Sequence, residues 1–263
     1  IKREKKELQR YVHLSTGNYN SSTARLYTDL GLLTTNPEIC DDVAQLFNFL
    51  TGFNILGGEI AKLKESMVPN FKKLIISPLT MRKHLLDLIK EEIVFHQKSN
   101  NGHIIAKMNS LTDEETIDAL YEASKAGVKI ELIVRGVCCL RPGVPDLSEN
   151  IRVRSIIDRF LEHSRVFYFH AGGTKRVYIS SADWMPRNFD RRVEALTPIE
   201  SEILKTKIIE DLLGAALRDN THAWDMGPEG NYTRVKTEGE PFGFQEFLIE
   251  RARSVGVKSL PYE

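Results

Sequence analysis

Between Leu74 and Pro198 the chain alternates short apolar runs with longer stretches whose apolar residues recur every three or four positions. "KLIISP" is a run of the first kind, and after it Leu85, Leu86, Ile89 and Ile93 fall on one face of a long amphipathic helix. "HIIAKMN" predicts the next strand. Thr112 with Glu115 three residues later is a capping box, opening a helix that stops at Gly127. "VKIELIVRG" then reads as a buried strand, "RVFYF", "RVYISS" and "VEALTP" as further strands, and "ESEILKTKIIEDLLGAALRD" as a final long helix. Strands alternating with helices predict an α/β fold whose mixed, mostly parallel sheet is flanked by helices with right-handed connections.

On either side of this region the pattern weakens. "ARLYTDLGLLT" is strand-like, and "NPEICDDVAQLFNFLTG" predicts a helix capped by Asn36, with Pro37 at its first position and Gly52 at its end. Residues 54 to 73 carry the least pattern and read as a connection, and the tail from about Thr221 is polar and loosely ordered.

Composition sets outer limits. The chain has 263 residues, 41% of them hydrophobic and 27% charged, which fits one large domain or two smaller ones. No apolar run approaches the ~20 residues that cross a bilayer. The opening "IKREKKELQR" lacks the apolar core of a secretory signal, so a cytoplasmic protein is expected. Cys40, Cys138 and Cys139 make no CxxC pair and no zinc spacing, and free thiols are expected. A net charge of zero argues against a general nucleic-acid binder. Its distribution says more: residues 129–192 hold 12 Lys/Arg against 7 Asp/Glu, a local +5, whereas residues 193–263 hold 8 against 13, a local −5. An anion would go to the middle of the chain, although solvated surface arginines would give the same count.

An offset of 165 residues relates two stretches. Setting Thr16 on Ser181 aligns "STGNYN" with "SSADWM", so that Asn18 meets Asp183, Tyr19 meets Trp184 and Asp29 meets Glu194. Two related half-sites are suggested. Upstream of the second, His163 and Arg165 alternate along a strand and share a face. A histidine and a cation beside a Ser/Asp-bearing strand suit a phosphoryl group: imidazole attacks or protonates, and guanidinium neutralises the oxygens. Lys107 and Asn109 end a strand, where ligands of α/β folds commonly bind. His13 is read first as a structural histidine beside the Thr-Gly-Asn turn, and Asn18 as a turn residue that the repeat draws toward the cleft.

The stretches "YVHLSTGNYNSSTARLYTDLGLLT", "LIVRGVCCLRPGVPDLSENIRVRSIIDRFLEHSRVFYF" and "VYISSADWMPRNFDRRVEALTP" resemble the C-terminal half of bacterial polyphosphate kinases of the long-chain type. The resemblance covers the chain to about residue 215. It implies two tandem phospholipase D-like domains sharing a cleft, here a partial first domain over residues 1–72 and a second over residues 73–263. It also implies reversible transfer of the ATP γ-phosphate to polyphosphate through a phosphohistidine, with magnesium. By motif, Tyr27, Arg135 and His163 match nucleotide-contacting positions, His163 also matches the general acid/base, and Arg192 a phosphate contact. Arg165, Asp183, His13, Asn18, Lys107 and Asn109 are expected to line the cleft. No protein ligand for a metal is assigned.

The partners implied are ATP or ADP and inorganic polyphosphate, with homo-oligomers and without nucleic acid; membrane association of a full-length enzyme is not legible. The family's phosphorylated histidine lies in a Lys-x-His-Ala-Lys strand just upstream of "YVHL", so the chain reads as a fragment that lacks its nucleophile and is inactive alone. Two other readings stand beside this one. A phospholipase D-like phosphodiesterase or nuclease would want Lys at Arg165 and Asn at Asp183, and a non-catalytic nucleotide- or polyphosphate-binding module would need no chemistry.

Overall fold

A computed structural model describes residues 1–4, 7–55 and 69–256. β1 (Lys2–Glu4) and β2 (Glu7–Gln9) form an antiparallel pair. The centre is a nine-stranded sheet made of β6 (Ile75–Ser77), β7 (His103–Met108), β8 (Lys129–Val134), β9 (Ile151–Ile156), β11 (Arg165–Phe169), β12 (Arg176–Ser180), β13 (Glu194–Pro198), β14 (Ala223–Met226) and β15 (Tyr232–Arg234). Their order across the sheet is β15-β14-β9-β8-β7-β11-β12-β13-β6. Alternation along the central strands builds two cores. Ile104, Ala106 and Met108 of β7 with Phe167 and Phe169 of β11 face helices α2 (Met81–Ser99) and α3 (Glu114–Lys125). Ile105, Val166 and Tyr168 face the opposite way, onto Leu212, Leu213 and Phe244. No helix among the described residues is long and apolar enough to cross a membrane.

The fold is α/β, but its sheet is less parallel than the strand-helix alternation predicts. Only β7–β8 and β8–β9 pair in parallel; the other six neighbours in the sheet are antiparallel. Connection length explains this. β11 ends at Phe169 and β12 begins at Arg176, too short a link for a parallel crossover, which takes a dozen residues or more.

Other expectations shift locally. The helix-initiating cap is Asp113, whose carboxylate accepts from Thr116 N at 3.1 Å and Thr116 Oγ1 at 2.7 Å. Thr112 stands one residue ahead of the cap position, since the helix begins at Glu114. Asn36 does cap α1 (Pro37–Ile55), accepting from Glu38 N and Ile39 N, but the helix continues through Gly52, which nothing crowds. "ARLYTDLGLLT" is not one strand. It breaks into a 3-10 turn at Thr23–Arg25, β4 (Tyr27–Thr28) and β5 (Gly31–Thr34). Of the proposed connection, residues 56–68 lie outside the described residues. Helix 200–219 forms as α5 (Glu202–Lys207), a π-helical stretch (Ile208–Gly214) and α6 (Ala215–Arg218). It is not the last helix: the polar tail carries β14, β15 and α7 (Phe244–Gly256), anchored by the fully buried Phe244. These elements are short, with one or two apolar anchors each, below what periodicity detects.

Asp113→Ala is expected to destabilise the protein by about 1–2 kcal/mol through loss of the cap, read as a lower urea midpoint. Asp113→Asn keeps the acceptor and should cost less.

The 165-residue repeat is a structural one. In the first copy β3 (Val12–Ser15) pairs with β5, Ser15 opposite Gly31 and Leu14 opposite Leu32; in the second, Ser180 stands opposite Leu196 and Ile179 opposite Thr197. Every partner differs by 165. The turns match atom for atom: Thr16 Oγ1 donates to Asp29 at 2.7 Å and Ser181 Oγ to Glu194 at 2.5 Å. Leu30 N and Ala195 N each donate to that hydroxyl at 3.0 Å, and Gly17 N and Ala182 N each donate to the preceding serine hydroxyl.

Candidate active site

Two short strands bring the copies together. β4 pairs in parallel with β10 (Leu161–Glu162), Tyr27 opposite Leu161 and Thr28 opposite Glu162. This places Asp29, next in the first copy, against His163, next in the second. His163 is 9% exposed, and its Nδ1 lies 3.0 and 3.1 Å from the Asp29 carboxylate oxygens. Its Nε2 lies 3.1 Å from Arg165 Nη1. One tautomer satisfies both contacts: Nδ1 carries the proton and donates to Asp29, and Nε2 keeps its lone pair. The Tyr27 ring stands 4.9 Å from the imidazole, tilted by 46°.

Beneath the histidine, Arg165 opens β11 and sends Nε to Asp183 Oδ1 at 3.1 Å and Nη2 to Oδ2 at 2.9 Å, a bidentate fork. Its Nη1 also donates to Thr16 O at 2.8 Å, tying the two copies a second time. Burial alone would push the Asp183 carboxyl up. The Arg165 fork and the Asn109 N–H more than offset it, holding Asp183 below the ordinary carboxylate range.

Asn109 is the hub. Its Nδ2 donates to His163 O at 3.1 Å and to Asp183 Oδ1 at 3.2 Å, while its Oδ1 accepts from Arg135 Nε and Nη2 at 3.1 and 3.0 Å. Gly136 permits this, since a Cβ there would meet Asn109 O at 2.9 Å. Arg135 is half-buried and has no carboxylate within salt-bridge distance among the described residues. Arg165 is neutralised by Asp183, whereas Arg135 is fixed through a neutral amide and keeps its charge for an incoming anion.

The structure thus gathers His163, Tyr27, Arg135, Asn109, Arg165 and Asp183 into one cluster. Four predicted residues stand elsewhere. Lys107 is a correction: it is 1% exposed and its Nζ meets Glu162 at 2.9 Å, so it faces the interior and not a cleft. His13 is exposed on β3 and bonded through Nδ1 to Tyr19 OH at 2.7 Å, and Asn18 is exposed in the following turn. Arg192 is exposed 3.8 Å from Glu194. It occupies in the second copy the position that Tyr27 holds in the first (27 + 165 = 192). Sequence reasoning paired Asp29 with Glu194 but did not connect Asp29 to His163, because that contact crosses from one copy to the other. Glu194 is held by Ser181 Oγ and by Asn188 Nδ2 at 2.8 Å, and among the described residues no histidine bonds it.

The acids here are engaged: Asp29 by Thr16 and His163, Asp183 by Arg165 and Asn109. Among the described residues no group of three or more His, Cys, Asp or Glu could hold a metal ion. The set does not fit a protein-held magnesium. What it offers is a proton-bearing imidazole, a fixed free guanidinium and a phenol, enclosed by a rigid hydrogen-bonded floor, which suits transfer of a charged group.

The family model described as polyphosphate kinase C-terminal domain 2 matches residues 74–243, and that described as polyphosphate kinase C-terminal domain 1 matches residues 1–55. Polyphosphate kinase of Halalkalibacterium halodurans is 52% identical over 236 residues, covering 90% of this chain and 32% of that protein. That of Pseudomonas putida is 49% identical over 253 residues, covering 95% and 33%. The crystal structure of polyphosphate kinase from Porphyromonas gingivalis superposes with a TM-score of 0.85 at 37% identity, covering 98% of this chain and 38% of that one. The chain spans about a third of the length of the curated relatives it matches. With both C-terminal family models matched in order along one chain, and the repeat they share visible in its hydrogen bonds, this chain belongs to the polyphosphate kinase family.

Proposed function

We propose that the full-length protein is an ATP:polyphosphate phosphotransferase, and that residues 1–72 and 73–263 are parts of two successive C-terminal units whose facing half-sites carry out the transfer. The observation that carries this reading is the crossed pair: Asp29 of one copy orders His163 of the other, beside the uncompensated Arg135. The repeat places the counterpart of His163 upstream of Ile1, on the strand that would precede the β3 half-site. A histidine there would face Glu194 as His163 faces Asp29.

In this reading the upstream histidine attacks the γ-phosphorus of ATP and the bond to the β,γ-bridging oxygen breaks. For this step Nε2 takes up a proton from solvent in place of its contact with Arg165 Nη1, and His163 passes that proton to the departing oxygen, which leaves on ADP. A terminal polyphosphate oxygen then displaces the histidine, and the sequence runs equally in reverse. Arg135 neutralises the phosphoryl oxygens, and Tyr27 packs against the nucleotide or donates its hydroxyl to a phosphate. Magnesium, if required, would come bound to the nucleotide and would supply charge neutralisation, with no carboxylate of this chain assigned to it. The full-length protein is expected in the cytoplasm as a homo-oligomer.

Full-length protein given ADP and polyphosphate is expected to form ATP, and given ATP to form polyphosphate, with no release of nitrophenol from bis(4-nitrophenyl) phosphate. Diester cleavage without ATP formation would replace this reading with a phosphodiesterase. A chain limited to residues 1–263 is expected to take up no acid-labile, base-stable label from γ-labelled ATP; such label on it would place the nucleophile within this chain.

A further inference from the structure

Ahead of β11 the segment that carries His163 has little regular structure: among the described residues β10 has two residues and pairs with the two of β4. So short a pairing does not fix a side chain on its own. A buried polar network surrounds it. The Glu162 side chain, 2% exposed, receives Lys107 Nζ at 2.9 Å, Thr28 Oγ1 at 3.1 Å and Gln245 Nε2 at 2.6 Å. Gln245, also buried, accepts from Phe160 N at 2.9 Å and donates to Phe160 O at 2.8 Å. Lys107 Nζ donates in addition to Ser164 Oγ at 2.8 Å. His163 is therefore bracketed by Phe160 and Glu162 on one side and Ser164 on the other, all gripped by side chains from β7 and α7.

A buried ion pair returns little net stability, because desolvation of both ions offsets their attraction. What it returns here is direction: three donors converge on one carboxylate adjacent to the histidine. Gln245 lies in the first turn of α7, beyond residue 243, where the matched family model ends.

We propose that Gln245, acting through Glu162 and Lys107, is a positioning residue that fixes where the His163 imidazole stands, and that α7 is thereby coupled to the site. This rests on the reading of His163 as the reactive imidazole. A displacement of about 1 Å at a reacting group is enough to lower a rate by as much as roughly 100-fold.

The test uses full-length protein carrying Gln245→Met. ATP formation from ADP and polyphosphate should fall in kcat by about tenfold or more, with KM for ADP within about twofold and a modest fall in melting temperature, because Phe160 N and O lose their partner. The hydrogen-bonded imidazole N–H proton signal, assigned by its disappearance in His163→Ala, should be lost or shifted. If Gln245→Met does not fold, Gln245→Asn, one methylene shorter, is measured instead with the same expectation. Unchanged kcat, or loss of rate and melting temperature together while the imidazole signal stays, overturns the proposal. If the wild type itself forms no ATP, the phosphotransferase reading fails and the imidazole signal alone decides positioning: its loss in Gln245→Met sustains it, its persistence overturns it.

Discussion

Replacing His163 with alanine in the full-length protein is expected to lower both polyphosphate synthesis and ATP formation by roughly 10²–10⁴-fold, the range that one positioned acid/base supplies. The fold should survive. His163 is buried at the rim of the cluster, but the bonds that organise its segment come from its main chain: N to Thr28 O at 3.3 Å and O from Asn109 Nδ2 at 3.1 Å. Removing the imidazole leaves these intact and frees Asp29, which keeps its bond to Thr16 Oγ1. His163→Gln, which can still donate to Asp29 but cannot shuttle a proton, should be as slow as alanine. A glutamine variant near wild-type rate would assign the histidine a structural part only.

Arg165→Met is expected to fail differently. It removes the guanidinium and leaves Asp183 at 7% exposure with a charge and no cation, a situation that costs about 3–5 kcal/mol. For a unit of this size that corresponds to a fall of roughly 10 °C in melting temperature. The double variant Arg165→Met/Asp183→Asn should recover much of the loss, since it removes the unpaired charge and keeps an acceptor for the Asn109 N–H. The pH dependence has a fixed sign. Asp183 is held below its ordinary value in the folded state, so the pair's contribution is fully present above the ordinary carboxylate range and is lost as pH falls through the lower folded value. Wild type should therefore lose stability on acidification more steeply than the double variant. Equal acid sensitivity would show that the fork does not carry this stability.

These two residues show what the sequence could and could not convey. The 165-residue offset was legible because it rests on residue types at fixed spacing, and the structure repeats it down to individual bonds at Thr16 and Ser181. Helix α2 and strands β7, β8 and β11 were legible because each buries several residues at one period. The direction of strand pairing was not: it depends on whether six residues after Phe169 can make a crossover. The tail from Thr221 was misread because β14 and β15 carry few apolar positions and gain their order from neighbours such as β9. At the site, His163, Arg165 and Asp183 stood out because they sit close together in sequence. Asp29 and Gln245 act across 134 and 83 residues, and only folding brings them there. Lys107 illustrates the converse, since a lysine at a strand end looks the same in sequence whether it meets a ligand or a buried carboxylate.

The central claim is that phosphate passes through a histidine facing His163 across the repeat. The direct measurement is a single-turnover reaction of full-length protein with γ-labelled ATP, quenched in base, with the labelled residue located by peptide mapping. The account expects acid-labile, base-stable label on a histidine upstream of Ile1 and none on His163. Label on His163, or label on no histidine while polyphosphate is being made, would contradict it.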